Sequence, residues 1–166
     1  AGFSPSELIE IAKSSNWWFL ARGVSLRTGL LQSSGIERWL GRYLKGKSFA
    51  ELDTPLAVVA SDLVRGETVV LSQGDVALAV RISCTVPGIY APVEHHGRYL
   101  VDGGLTENVP VDTALQMDID GVIAVSLNGS FLDGEKPERP ADVIQQAISI
   151  LQRAHVEKQL GKADLA

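Results

Sequence analysis

An aspartate followed by two glycines is the feature that most constrains this chain of 166 residues. Asp102 ends the apolar run Tyr99–Val101 and is followed at once by Gly103 and Gly104. Because no side chains crowd the two positions after the predicted strand, the carboxylate can face a substrate there. That is the placement that a general base needs.

The context of this motif decides how it is interpreted. An isolated Asp-Gly-Gly is more typical of a plain hairpin turn than of a catalytic site. Here an apolar strand precedes it, and an Asn108-x-Pro110 element and a predicted helix follow within ten residues. A proline-broken loop with Ser83 and Cys84 lies just upstream. We therefore interpret Asp102 as a candidate general base. The sequence contains no Gly-x-Ser-x-Gly, so the matching nucleophile is expected outside these residues.

The composition predicts a globular domain and excludes several partners. The hydrophobic share of 45% and the charged share of 21% are ordinary for such a domain. The net charge of −5, without a basic stripe, argues against nucleic acid. A single cysteine excludes an internal disulfide and favours a cytoplasmic location, with membrane association as the alternative. No apolar stretch approaches the roughly 20 residues of a membrane-spanning helix.

Hydrophobic periodicity predicts alternating strands and helices. Apolar runs predict strands at residues 55–60, 67–71 and 121–126, and residues 93–100 read as a hairpin with its tip at His96-Gly97. Two helices are predicted to begin at Ser4 and at Ile36. A third is predicted after Asp75, which caps it, and a short fourth helix is predicted to end at Met117. This alternation predicts an α/β layered domain with a largely parallel sheet. A last helix from Ala141 carries one apolar face: Val143, Ala147, Ile150, Leu151 and Ala154.

The sequence resembles the patatin-like phospholipases, a family of serine acyl hydrolases, and its compact bacterial branch in particular. The resemblance covers nearly the whole chain. Its segments occur in the family's order and are Ala60–Leu63 with Gly66-Glu67, Ala79–Val93, and Asp102–Gly104 with Asn108–Val111.

The resemblance implies an αβα fold with a largely parallel central sheet and a Ser–Asp dyad. By matching, Asp102 is the dyad base, and Gly103, Gly104, Asn108 and Pro110 are the residues that support it. The serine would lie on a nucleophile elbow, preceded by a glycine-rich loop that supplies oxyanion donors. Both are expected upstream of the first residue, and no metal and no cofactor are expected.

We accordingly expect a segment of a larger protein, truncated at the N-terminus and with a C-terminal truncation also considered. Its predicted parts are a helical region (1–52), a sheet core (53–134), and a linker with a C-terminal helix (135–166). The chain alone is expected to be inactive, while the intact protein hydrolyses lipid esters. Two alternatives stay open: a non-catalytic binding or regulatory module, and a chain cleaved from an N-terminal piece that remains associated.

The expected partners are a lipid or ester substrate, the upstream segment with the serine, and a transient membrane contact. The cluster of Trp17, Trp18 and Phe19 is interpreted first as core packing, and the alternative is that it makes this membrane contact. Cys84 is expected to be a small buried thiol without a partner base. Ser33 lacks the preceding strand of a nucleophile elbow, and His95 and His96 are expected on opposite faces of the hairpin tip.

Overall fold

A computed structural model describes residues 2–14, 31–127 and 136–166 of the chain. Its helices are α1 (Pro5–Ser14), α2 (Ser34–Leu44), α3 (Val76–Ser83), α4 (Gly104–Glu107), α5 (Val111–Leu115) and α6 (Pro140–Leu160), with a 3₁₀ turn at Phe49–Glu51. Its strands are β1 (Val58–Asp62), β2 (Glu67–Leu71), β3 (Val93–His95) and β4 (Arg98–Asp102). The mixed α/β class predicted from the sequence is confirmed.

The sheet has four strands in the order β2-β1-β4-β3, and every pairing is antiparallel. The prediction of a largely parallel sheet is therefore wrong for the described residues. For the pairs β1–β2 and β3–β4, the physical reason is the length of the connections. Short turns join β1 to β2 and β3 to β4, whereas parallel neighbours need a crossover of a dozen or more residues.

Local sequence signals set several element boundaries as predicted. The Ser4 hydroxyl accepts the Glu7 N–H at 3.4 Å, and the Glu7 carboxylate accepts the Ser4 N–H at 2.8 Å, which makes the expected capping box for α1. Asp75 caps α3 by accepting the Leu78 N–H at 2.7 Å. These contacts satisfy backbone donors that a helix start leaves unpaired.

The turn between β3 and β4 lies where it was predicted, but the side chains of its two histidines do not point in the predicted directions. Both His96 (φ 48°) and Gly97 (φ 72°) adopt left-handed conformations, as a tight hairpin requires. The strand alternation therefore stops at His96, and its ring lies 4.2 Å from the His95 ring, centroid to centroid. The expectation that the two side chains face opposite sides is wrong. They line one cavity of about 240 Å³ together.

One core cluster joins the sheet to α3. Ile82 of α3 is fully buried against Ala60 of β1, Val93 of β3 and Leu100 of β4. Burying these apolar side chains removes them from water at about 25 cal/mol per Å². The cluster fixes the loop after α3 beside the end of β4, where Asp102 lies.

A second core cluster joins the segment after Asp102 to α6. Val109 and Val111 are buried together with Val122, Ala124 and Val156. The strand predicted at 121–126 does not form in the described residues: Ile123 pairs with Leu165 in an isolated parallel bridge. Val122 and Ala124 are nevertheless buried. Buried and exposed side chains therefore alternate as in a strand, although the segment is not part of the described sheet.

The long C-terminal helix forms as predicted, but its apolar face is not the one that packs. Val143, Ile150 and Leu151 are exposed, as are Ala147 and Ala154. The helix packs instead through Val156 and Gln159, which are buried, and through the half-buried Gln152. The side of α6 that faces inward therefore combines one buried valine with polar contacts to the rest of the chain.

None of the helices among the described residues is long and apolar enough to cross a membrane. Trp17, Trp18 and Phe19, the predicted membrane contact, lie outside the described residues.

Candidate active site around Asp102

The backbone of Asp102 is fixed on both sides by the sheet and the loop beside it. Asp102 is the last residue of β4 and lies opposite Ala60 of β1 in the antiparallel register. Its N–H donates to the Thr85 carbonyl at 2.9 Å, and its carbonyl accepts the Ser61 hydroxyl at 2.8 Å. The position of the Asp102 backbone is thus set by two other parts of the chain, strand β1 and the loop after α3.

The Asp102 carboxylate is half-buried, and the turn that follows it in the chain holds one of its oxygens. Its Oδ1 accepts the Gly104 N–H at 2.7 Å. Burial raises the pKa of this carboxyl above its ordinary value, and the Gly104 hydrogen bond opposes that effect in part. Asp102 is therefore a stronger base than an exposed aspartate, while one of its oxygens is held in a fixed direction.

Gly103 is required because the chain passes very close to β1. A Cβ at this position would collide with the Val59 carbonyl oxygen, so no side chain fits there. Gly103 has an ordinary φ of −65°, so space and not backbone conformation demands the glycine. The first glycine of the motif thus allows the turn after Asp102 to lie directly against the neighbouring strand.

Gly104 lies among polar side-chain atoms. A Cβ there would be 2.9 Å from Nε2 of Gln152, 3.0 Å from Oδ1 of Asp102 and 3.1 Å from Oδ1 of Asn108. The Gln152 amide also donates to the Gly104 carbonyl at 2.9 Å. The absence of a side chain at Gly104 therefore lets these groups converge beside the candidate base.

The Asn108–Pro110 element is supported by a buried acid that the sequence analysis missed. The Glu107 carboxylate accepts the N–H of Thr113 at 2.8 Å and its hydroxyl at 2.6 Å. These bonds span the turn at Pro110, while Asn108 and Pro110 themselves are exposed. The sequence signal that could have identified this role is the charged side chain of Glu107 between the two glycines and the Asn108–Pro110 turn.

Ser61 and Thr106 form a second contact that the sequence analysis missed. Their hydroxyls lie 2.9 Å apart, and Ser61 also bonds the Asp102 carbonyl. Ser61 is fully buried in β1, so its hydroxyl connects the strand, the end of β4 and α4. A polar residue at a buried strand position was the available sequence signal.

Cys84 differs from its expectation in two respects. It is exposed rather than buried, and its thiol lies close enough to Asp102 for the carboxylate charge to act on it. Partial desolvation first and the Asp102 charge second raise the pKa of the Cys84 thiol. Because the thiolate is the nucleophilic form, this environment disfavours Cys84 as a nucleophile.

The Ser33 hydroxyl has a structural role. Ser33 is buried, and its Oγ accepts the Arg81 Nε–H and the Thr85 hydroxyl, each at 3.1 Å. Arg81 also contacts Glu37 at 2.6 Å, so this network ties α2 to α3. Among the described residues, no group of three or more His, Cys, Asp or Glu side chains could hold a metal ion.

Comparison with known families places this site in a matched segment. The family model described as "Patatin-like phospholipase" matches residues 6–115, about two thirds of the chain. That match includes Asp102, Gly103, Gly104, Asn108 and Pro110, whereas α6 lies beyond it.

Curated relatives agree with this match. The chain is 41% identical over 80 residues to an uncharacterized NTE family protein of Mycobacterium tuberculosis, a match to 48% of this chain and 22% of the relative. It is 32% identical over 104 residues to the uncharacterized protein YqhO of Bacillus subtilis, covering 51% and 36%. It is 29% identical over 102 residues to mouse patatin-like phospholipase domain-containing protein 6, covering 60% and 8%. The chain thus matches well under half the length of each of these relatives.

Replacing Gly103 by alanine should destabilise the chain, because the new methyl group would collide with the Val59 carbonyl. Overpacking of this kind costs about 1–3 kcal/mol in free energy of unfolding. The control is Gly41→Ala in α2, where no atom lies within 4 Å of the added Cβ. That variant should gain about 0.5–1 kcal/mol from helix propensity. Urea denaturation measures both, and equal effects would contradict the close approach.

The raised pKa of Asp102 predicts a pH-dependent cost to stability. Ionisation of this buried carboxyl opposes folding, so Asp102→Asn should be more stable than the unmodified chain at pH 7–8. The advantage should shrink as pH falls through the folded pKa and vanish below the pKa of an exposed aspartate, about 3.9. Thermal unfolding across pH measures it.

The matched control for this experiment is Asp112→Asn. Hydrogen bonds from Lys162 and Gln159 lower the pKa of Asp112, so its ionised form favours folding. This variant should lose stability at neutral pH, and the loss should disappear in acid. A stability gain for both variants, or for neither, would contradict the assigned environment of Asp102.

Proposed function

Because the chain belongs to the patatin-like phospholipase family, we propose that it supplies the general base of a serine-dependent lipid acyl hydrolase. The proposed base is Asp102. The single observation that carries this assignment is the half-buried Asp102 carboxylate at the end of β4, held at one oxygen by the Gly104 N–H. A raised proton affinity and a fixed orientation are the two properties that general-base catalysis requires.

The proposed reaction begins with proton transfer from a serine to Asp102. Within the described part of the chain Oδ1 is engaged by Gly104, so we assign the transfer to Oδ2. The serine oxygen then bonds the ester carbonyl carbon, and the ester C–O bond breaks. The proton on Asp102 passes to the departing alcohol. This sequence leaves an acyl-enzyme and an ionised Asp102.

Water completes the proposed cycle. Asp102 accepts a proton from water while the water oxygen attacks the acyl carbon. The bond between the acyl carbon and the serine oxygen then breaks, and Asp102 returns the proton to the serine oxygen. The fatty acid and the free enzyme result. Because an exposed aspartate has a pKa near 3.9, the burial of Asp102 favours its use as a base near neutral pH.

We propose that the serine belongs to a segment outside these 166 residues. The sequence lacks a Gly-x-Ser-x-Gly, and the matched relatives are much longer than the regions that match this chain. The segment Val122–Leu127 offers a surface for such a piece. Ile123, Val125 and Leu127 are 74%, 73% and 90% exposed and alternate with buried Val122 and Ala124, as in a strand that can accept a neighbour.

The proposed substrates are phospholipids, lysophospholipids or simpler esters. The mouse relative carries the phospholipase description in its name, and the family description carries it as well. The net charge of −5 argues against electrostatic adhesion to anionic membranes, so we propose that any contact with lipid is apolar. The contact through Trp17, Trp18 and Phe19 and the cytoplasmic location stay predictions.

Activity of a longer protein that contains this segment tests the role of Asp102. Asp102→Asn should lower kcat for a fatty-acyl ester by about 10²–10⁴-fold, because general-base catalysis typically contributes that much. The control is Asp53→Asn, an exposed aspartate in the connection before β1, which should leave kcat unchanged. Retained activity in Asp102→Asn would contradict the proposal.

Labelling with a fluorophosphonate probe tests where the nucleophile lies. We expect no adduct on the purified 166-residue chain by intact mass, and a stoichiometric adduct on the longer protein. An adduct on the chain itself would assign the nucleophile to a serine among these residues and overturn the upstream location. Failure of the longer protein to label would favour the alternative of a non-catalytic module that retains the fold.

A further inference from the structure

The C-terminal helix reaches back to the turn that holds Asp102. Gln152, in the middle of α6, donates from Nε2 to the Gly104 carbonyl at 2.9 Å across 48 positions of sequence. The family match ends at residue 115, so this contact comes from a part of the chain that the match does not include. The Gly104 N–H, on the same residue, donates to Oδ1 of Asp102.

The position of Gln152 is fixed by the docking of the whole helix. One turn further along, Val156 is buried against Val109 and Val111. Beyond it, Nε2 of Gln159 donates to Asp112 at 3.0 Å, and Lys162 contacts the same carboxylate at 2.6 Å. The helix is therefore attached to the segment after Asp102 at several points.

We propose that Gln152 is a positioning residue that, by holding the Gly104 carbonyl, keeps the Gly104 N–H directed at Oδ1 of Asp102. This inference rests on the proposed function, in which Asp102 is the base. Gly104 follows Asp102 by only two residues and opens the four-residue helix α4, which by itself offers little resistance to movement. A donor on a long and separately anchored helix restrains that short turn from outside.

The effect of losing this contact has a defined sign. Without the Gln152 donor, the Gly104 carbonyl loses a partner and the Gly104 N–H is less well aimed at the carboxylate. That hydrogen bond stabilises ionised Asp102, so weakening it should raise the pKa of Asp102 further. The same change frees the orientation of the carboxylate, which should lower kcat.

Other charged groups near Asp102 have separate partners or known effects. On β1, Asp62 accepts the N–H groups of Val64 and Arg65 and lies 3.7 Å from Arg98. On α4, Glu107 is bonded to Thr113. On the loop after α3, the Cys84 thiol is coupled to Asp102, and it stays neutral over the acidic range in which Asp102 titrates. On α6, Arg153 next to Gln152 is exposed.

The test is a ¹³C NMR titration of the Asp102 carboxyl carbon in the 166-residue chain, assigned by its loss in Asp102→Asn. Gln152→Met keeps the length of the side chain and removes the donor, and the titration midpoint should move to higher pH. Gln152→Lys restores a donor and adds a positive charge, and the midpoint should move below that of the methionine variant. Gln145→Met, an exposed glutamine on the same helix, should leave the midpoint unchanged.

An unchanged midpoint in a folded Gln152→Met chain would overturn the proposal, and so would an equal shift in the Gln145→Met control. If Gln152→Met fails to fold, Gln152→Leu takes its place, because it also removes the donor, and an unchanged midpoint in that folded variant would overturn the proposal. In the longer protein, Gln152→Met should lower kcat by about 10–100-fold with KM unchanged. The NMR result needs no hydrolysis, so it separates failure of this inference from failure of the proposed function.

Discussion

The close approach of Gly103 to the Val59 carbonyl is the constraint on which the rest of the site depends. It lets the turn after β4 lie directly against β1, so that Asp102 stays opposite Ala60 while the chain changes direction into α4. Any side chain at Gly103 would separate the turn from the strand. Thr85, Ser61 and Gly104 then hold Asp102 through hydrogen bonds beside this turn.

Burial and hydrogen bonding have opposite effects on the pKa of the Asp102 carboxyl. Burial raises the proton affinity of Asp102 at a cost to stability, and the Gly104 N–H recovers part of that cost while it sets a direction. Other buried polar groups nearby are satisfied more completely. Glu107 has two donors on Thr113, and the Ser61 hydroxyl contacts both Asp102 and Thr106. Among the described residues, Asp102 accepts one side-chain hydrogen bond, and a raised pKa of this kind is common at functional sites.

The elements that local signals specify were predictable from the sequence. The Asp75 cap, the β3–β4 hairpin and the strand at 67–71 depend on neighbouring residues and form as expected. The parallel sheet was not predicted correctly, because strand direction depends on which strands meet and not on their apolar pattern. The same reason explains residues 121–126, whose alternation requires a neighbouring strand before it becomes a sheet.

The sequence by itself determined the family, the mixed α/β class and the motif in which a base is expected, because these depend on residue types and spacing within short segments. Only the tertiary structure decided why two glycines follow Asp102. Gly103 leaves space for the Val59 carbonyl, and Gly104 lies among the side chains of Gln152, Asp102 and Asn108. Those contacts join residues dozens of positions apart, and no local pattern encodes a distance across the fold. The packing of α6 is the clearest case, since its apolar stripe stays exposed and a glutamine faces the site.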